Sequence, residues 1–199
     1  MNPSLLQLFE NQEPIAGANM EGMQSLSGPT ADLVTDRRRW LALQEFISRL
    51  WRDAKCDYYA LYAIWAIREG LEDWPVPPPS FDVTPSSYEY WPAYRAFLVE
   101  AASIWIRNTA PLMYANTQVW GKNGNPEWPD DAGAPGRGGT RWLGIDGYDL
   151  EHKRWNLWKQ VLKEVAQWCN SESKKGNAKG WGVRKEVNAA LEAMAVAES

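Results

Sequence analysis

Apolar residues recur along this chain at three- and four-residue steps, interrupted by stretches dense in glycine and proline. Between about Thr30 and Lys55 the stripe is Trp40, Leu43, Ile47, Leu50 and Ala54, the spacing of one helix face. Thr30 suits the N-cap, and Asp32 lies favourably in the first turn. A second segment, about Asp57 to Asp73, differs in kind. From Tyr58 to Ile67 it carries no charge on any face, which predicts a helix buried on all sides at the centre of a bundle. Trp74-Pro75 ends it, and PVPPPS (75–80) supplies a stiff extended linker.

Pro92 suits the first position of a third helix. That helix runs through Ala101, Trp105 and Ile106 and is expected to resume after Pro111 as a shorter helix to Val119. A fourth helix, about Leu150 to Asn170, carries Trp155, Trp158, Leu162, Val165 and Cys169 on one stripe. Lys153, Asn156, Lys159, Lys163 and Gln167 lie opposite. The last, about Val183 to Ala197, packs through Val183, Val187, Leu191 and Met194. No alternating pattern of strand length and no internal repeat occurs, so the expected class is all-α, an irregular bundle of five to six helices. Residues 1–29 read as a flexible tail and 30–199 as a single domain. Within it, Gly121 to Asp149, with eight glycines and three prolines, reads as a long mobile loop of the kind that serves as a lid.

Thirteen of 199 residues are tryptophan, well above ordinary usage. Each indole buries a large apolar area and needs a partner for its N–H, so the helices either share an aromatic core or line a cavity with indole. A formal charge of −4 disfavours nucleic-acid binding by phosphate neutralisation. The basic runs at Arg37–Arg39 and at Lys174, Lys175, Lys179, Arg184 and Lys185 read as solvated helix faces and ends. Cys56 and Cys169 suggest two buried free thiols in a reducing compartment. The first eight residues lack the pattern of a secretory signal, and no apolar stretch reaches the ~20 residues of a membrane span. A soluble, intracellular and cytoplasmic protein is expected.

Three stretches resemble a large family of fungal helical domains of unknown function, covering roughly residues 40–170 and corresponding to the later portion of the family domain. They are ALYAIWAIREGLED (60–73), VEAASIWIRNTAPLMY (99–114) and DLEHKRWNLWKQVLKE (149–164). The positions that carry the likeness are Arg68, Leu71 and Glu72; Ala101, Ala102, Trp105 and Ile106; and Arg154, Trp155, Trp158 and Lys159. The resemblance implies a fungal origin and a helical fold, and it names no reaction.

Candidate chemistry is sparse. One histidine and two distant cysteines make no recognisable metal constellation, and no cofactor is expected. GAPGRGGT (133–140) lacks the Lys-Ser/Thr ending of a phosphate loop. His152, the only imidazole, reads as a surface side chain or as a general acid–base facing the long loop. Tyr58, Tyr62, Trp65 and Glu69 fall along one helix face. There Glu69 reads as an ordinary helix-end residue, or as a carboxyl whose pKa is raised beneath aromatic rings. Glu100, Ser103 and Arg107 share a face of the third helix, either as parts of interhelical ion pairs or as a polar anchor. Arg68 with Glu72, one turn apart, reads as a helix salt bridge, and Glu151 with Arg154 as residues bordering the apolar stripe.

Two function classes follow. One is a protein that binds a small apolar metabolite, whose enzymatic form would be a cofactor-independent cyclase or isomerase of fungal secondary metabolism. Its catalytic residues would come from Glu69, Glu100, Arg107 and His152, and its walls from Tyr58, Tyr62, Trp65, Trp105, Trp155 and Trp158. The other is a non-catalytic helical module that docks a protein partner or serves a structural role.

Overall fold

The computed structural model describes residues 31–82, 91–178 and 181–199, with side chains from Arg37 onward. It is all-α. Five helices are present among the described residues: α1 (Ala31–Ala54), α2 (Ala60–Ile67), α3 (Pro92–Ala115), α4 (Lys153–Lys174) and α5 (Val183–Ala197). A 3-10 turn, Asp57–Tyr59, leads into α2, and a π-turn, Arg68–Glu72, continues it. Between α3 and α4 the chain makes turns and bends with one further 3-10 turn, Asp130–Ala132, and one isolated bridge between Val119 and Gly147. Thr30, expected as a cap, and the expected tail, 1–29, lie outside the described residues. No helix among the described residues is long and apolar enough to cross a membrane.

The central helix is α3, not the uncharged segment that follows α1. It packs against α1, α2, the π-turn and α5, and it is buried continuously from Val99 to Ile106. The segment Tyr58–Ile67, expected to be wholly buried, is buried only at Ala60, Tyr62, Ala63, Ile64 and Ile67. Tyr58 is 51% exposed, and Tyr59, Leu61, Trp65 and Ala66 are half-buried. Tyrosine and tryptophan carry a polar end on an apolar body, so a face without charge can still meet water. Conversely, α3 tolerates burial with Glu100 and Arg107 in its sequence because both find charged partners on neighbouring helices.

Trp91 precedes α3, and Pro92 occupies its first turn as expected. The expected break at Pro111 takes the form of a kink within one continuous helix, centred on Thr109 (φ −131°, ψ 15°). Proline removes one i→i−4 bond, and the Thr109 hydroxyl donates to the carbonyl of Trp105 at 2.8 Å, a back-bond that favours bending. The expected start of α4 at Leu150 shifts to Lys153. The Asp149 carboxylate accepts the backbone N–H groups of Glu151 and Lys153, each at 2.9 Å, which fixes the helix start later.

Close approach between the π-turn and α3 depends on Gly70. A Cβ there would stand 2.5 Å from the carbonyl oxygen of Leu98 and 2.8 Å from the Cβ of Ala102. Gly70→Ala is expected to cost about 1–3 kcal/mol in urea melts. A loss below about 0.5 kcal/mol would mean the two backbones separate freely.

Candidate functional site

The strongest polar feature is a buried ion pair between the π-turn and α4. Glu72 and Arg154 are 0% and 1% exposed. Glu72 Oε1 accepts from Arg154 Nε and Trp158 Nε1, both at 2.7 Å, and Glu72 Oε2 accepts from Arg154 Nη2 at 3.1 Å and from the backbone N–H of Gly139 at 2.7 Å. Arg154 Nη1 donates to the carbonyls of Gly136 at 2.9 Å and Gly147 at 2.7 Å. A buried charge pair is tolerable only when such further hydrogen bonds offset the desolvation of both ions. Around it the segment expected as a mobile lid is tied down. Arg141 N–H donates to the carbonyl of Glu72 at 3.0 Å, and Thr140 N–H to Asp73 Oδ1 at 2.7 Å. Gly136 is required where the chain passes beneath Asp146, because a Cβ would meet that carbonyl oxygen at 2.2 Å.

Arg68 with Glu72 is therefore not the helix salt bridge expected, because Glu72 turns inward to Arg154. Glu151, expected to border the apolar stripe as Arg154 does, is exposed and pairs with Lys153. The signal in the sequence is an arginine bordering the apolar stripe of α4, next to Trp155, in a chain whose loop is rich in glycine. A cation in that position needs a buried counter-ion, and the carbonyls of Gly136, Gly147, Ile145 and Arg137 accept its remaining N–H groups.

The four titratable candidates do not come together around one partner. Glu100 is buried and paired with Arg37 of α1; burial pushes its carboxyl above the usual range, with Arg37 opposing. Arg107 pairs with Glu45 of α1 and with Glu186 of α5, the latter at 3.0 Å. His152 adopts a left-handed conformation (φ 55°) just before α4. Its ring stacks on Tyr114 at 4.0 Å, and its Nε2 lies 3.0 Å from the Tyr114 carbonyl. Glu69 is exposed on the π-turn that continues α2. The surrounding protein raises its carboxyl, with Arg68 opposing, although the side chain itself reaches solvent.

The indoles divide into two groups. Trp105, Trp155 and Trp158 are core residues, and each N–H is held: Trp105 by Gln44 at 2.6 Å, Trp155 by Glu198 at 2.8 Å, Trp158 by Glu72. Trp65 differs. Half-buried, it donates its N–H to the carbonyl of Pro135 at 2.8 Å, and it begins a row of rings. Trp65 lies 4.9 Å from Tyr62, which lies 5.5 Å from Tyr58 and 5.9 Å from Tyr59. The hydroxyls of Tyr58 and Tyr62 are 3.3 Å apart. The predicted face Tyr58–Tyr62–Trp65 thus exists as a partly open aromatic ledge.

Of the two cysteines expected to be buried, Cys56 is exposed at the junction after α1 and Cys169 is buried, its thiol pushed up to about 11 by desolvation. Among the described residues no group of three or more His, Cys, Asp and Glu side chains is placed to hold a metal ion.

A family model described as a protein of unknown function, DUF3632, matches residues 11–162. The chain belongs to the DUF3632 family. No curated protein and no solved structure matches it. In this DUF3632 chain the matched span contains the whole Glu72–Arg154 knot and the aromatic ledge. Two stretches that carry the resemblance, 60–73 with Leu71 and Glu72 and 149–164 with Arg154 and Trp158, meet in space as that knot, so what they encode is a fold contact. The match ends inside α4; α5 lies beyond it, yet packs extensively on α3.

Arg141 also clamps the segment to α4 through two hydrogen bonds to Glu164, at 2.8 and 3.0 Å. These hold the Glu164 carboxyl below its ordinary value of 4.5. A carboxylate depressed in the folded state adds stability above its unfolded pKa and loses it as pH falls through the folded one. The parent is therefore expected to lose more stability than Glu164→Gln on acidification below about 4.5, read as melting temperature against pH. Parallel curves for the two proteins would remove the clamp from the account.

Proposed function

We propose that the protein is a non-catalytic helical interaction module that engages a protein partner through the Tyr58–Tyr59–Tyr62–Trp65 ledge. The observation that carries this reading is a cluster of four aromatic rings on a stretch with no charged residue, in which Tyr58 is exposed, Tyr59 and Trp65 are half-buried, and the buried Tyr62 packs between them. Large rings with polar ends supply contact area at little entropic cost, and they anchor most protein interfaces. The polar candidates for catalysis add weight from the other side, since Glu100, Arg107 and His152 each already have a structural partner. An indole-walled metabolite pocket draws less support, because Trp105, Trp155 and Trp158 are buried against neighbouring rings and helices with their N–H groups bonded.

A photo-crosslinking residue, benzoylphenylalanine, placed at Tyr58 tests this in an extract of the source cells. A discrete adduct is expected at position 58 and not at Asn156, an exposed position on α4. No adduct at 58, or the same adducts from both positions, overturns the reading.

A further inference from the structure

From Arg37 onward, α1 is tied to α3 mainly by polar groups, and the partners ascend together along the two helices. Arg37 pairs with Glu100, and Glu45 with Arg107. Gln44 Oε1 accepts from Trp105 Nε1 at 2.6 Å, and Ser48 Oγ accepts from Asn108 Nδ2 at 2.7 Å. Between Glu100 and Arg107 on α3, the Ser103 hydroxyl is fully buried and has no hydrogen-bond partner among the described residues. The apolar share is small. From Arg37 to Glu45 the one buried apolar residue is Leu41. It joins a satellite cluster with Ala101 and Ile104, apart from the main core. Leu43 touches the main core as a half-buried residue, and the fully inserted side chains of α1, Ile47 and Trp51, come further along the helix.

Polar and apolar contacts differ in what opening costs. A hydrogen bond or ion pair is largely remade with water, whereas apolar burial is lost outright. The Arg37 and Arg107 side chains are already 33% and 32% exposed, so salt screens both pairs. The Ser103 hydroxyl gains a partner only when water reaches it, which favours opening. By contrast, α5 sets Val183, Val187, Ala190 and Met194 into the main core, each at most 2% exposed. The hold on α1 is therefore uneven: firm at Ile47 and Trp51, loose before them.

We propose that Arg37–Glu45 is a releasable strap, which undocks from α3 as a unit while Ile47 and Trp51 hold the rest of α1 and the other helices stay folded. Release uncovers Glu100, Ser103, Arg107 and the indole of Trp105, whose N–H loses Gln44. The strap thereby gates a polar face of α3 that the closed fold conceals. Segments with few buried apolar contacts open locally in this way without global unfolding. Release of the strap requires no partner at the aromatic ledge.

Hydrogen exchange of the full chain, read peptide by peptide, tests this. So short a stretch does not persist as a helix alone in water, and release therefore exposes its amides. Amides of the strap are expected to be about tenfold less protected than those of Val187–Met194 in α5. Raising salt to about 0.5 M should speed exchange in the strap about threefold and leave α5 unchanged. Glu45→Gln removes the charge facing Arg107 and should speed the strap about fivefold. Ser103→Ala removes the unpartnered hydroxyl and should slow it about threefold. Equal protection of the strap and α5 overturns the proposal. So does strap exchange that salt and Ser103→Ala leave unchanged, or a Glu45→Gln variant in which both helices speed alike. If Glu45→Gln fails to fold, the salt series and Ser103→Ala decide.

Discussion

Arg154→Met is expected to destabilise the protein by about 3–5 kcal/mol, because it leaves Glu72 charged, buried and without its counter-ion. The same change frees the carbonyls of Gly136 and Gly147, which Arg154 alone reaches across from α4. The loss should therefore extend to the segment before α4. Hydrogen exchange is expected to accelerate at the amides of Gly139, Thr140 and Arg141, which donate to Glu72 and Asp73. The double variant Glu72→Leu/Arg154→Met should recover part of the stability and little of the protection. It removes the orphaned charge but not the need of the loop carbonyls for a donor. Urea melts of the parent and both variants check this. A loss below about 1 kcal/mol in the single variant, or a double variant no more stable than the single, would show that water or rearrangement replaces the pair.

Trp51→Ala is the second large effect, also about 3–5 kcal/mol, and it acts far from the ion pair. Trp51 is fully buried. Its ring lies 6.4 Å from Trp105 of α3 and 6.3 Å from Tyr148 at the end of the irregular segment. Its N–H donates to Asp57 Oδ1 at 3.2 Å. The deleted ring leaves a cavity where α1, α3 and that segment meet, and rigid helices close such a cavity only partly. Trp65→Ala, which a wholly buried second helix would place on the same scale, should cost less, because Trp65 is half-exposed on the ledge. Denaturant melts giving Trp65→Ala a loss equal to or larger than that of Trp51→Ala would mean the ledge bears more of the fold than its exposure implies.

The periodic helices were legible in advance. The course of α5 follows from the spacing of Val183, Val187, Leu191 and Met194, and Pro92 marks the start of α3. The ledge was half legible: its spacing was readable, its exposure was not. Absence of charge from Tyr58 to Ile67 suggested a buried helix, whereas tyrosine and tryptophan allow that face to stay partly open. Glu100 and Arg107 were visible as polar residues on an apolar helix. Their partners, Arg37, Glu45 and Glu186, lie on helices whose relative placement no local pattern carries.

Helix hydrogen bonds run from each residue to one four positions away, so composition and period within a short window determine α1 to α5 and the all-α class. Glu72 and Arg154 stand 82 positions apart. The arginine's place beside an apolar stripe marks a need for a buried counter-ion, but nothing within either window says that the counter-ion is Glu72. Only the packing of the π-turn against α4, with glycine backbone folded over both, removes the two charges from water and makes each the other's required partner.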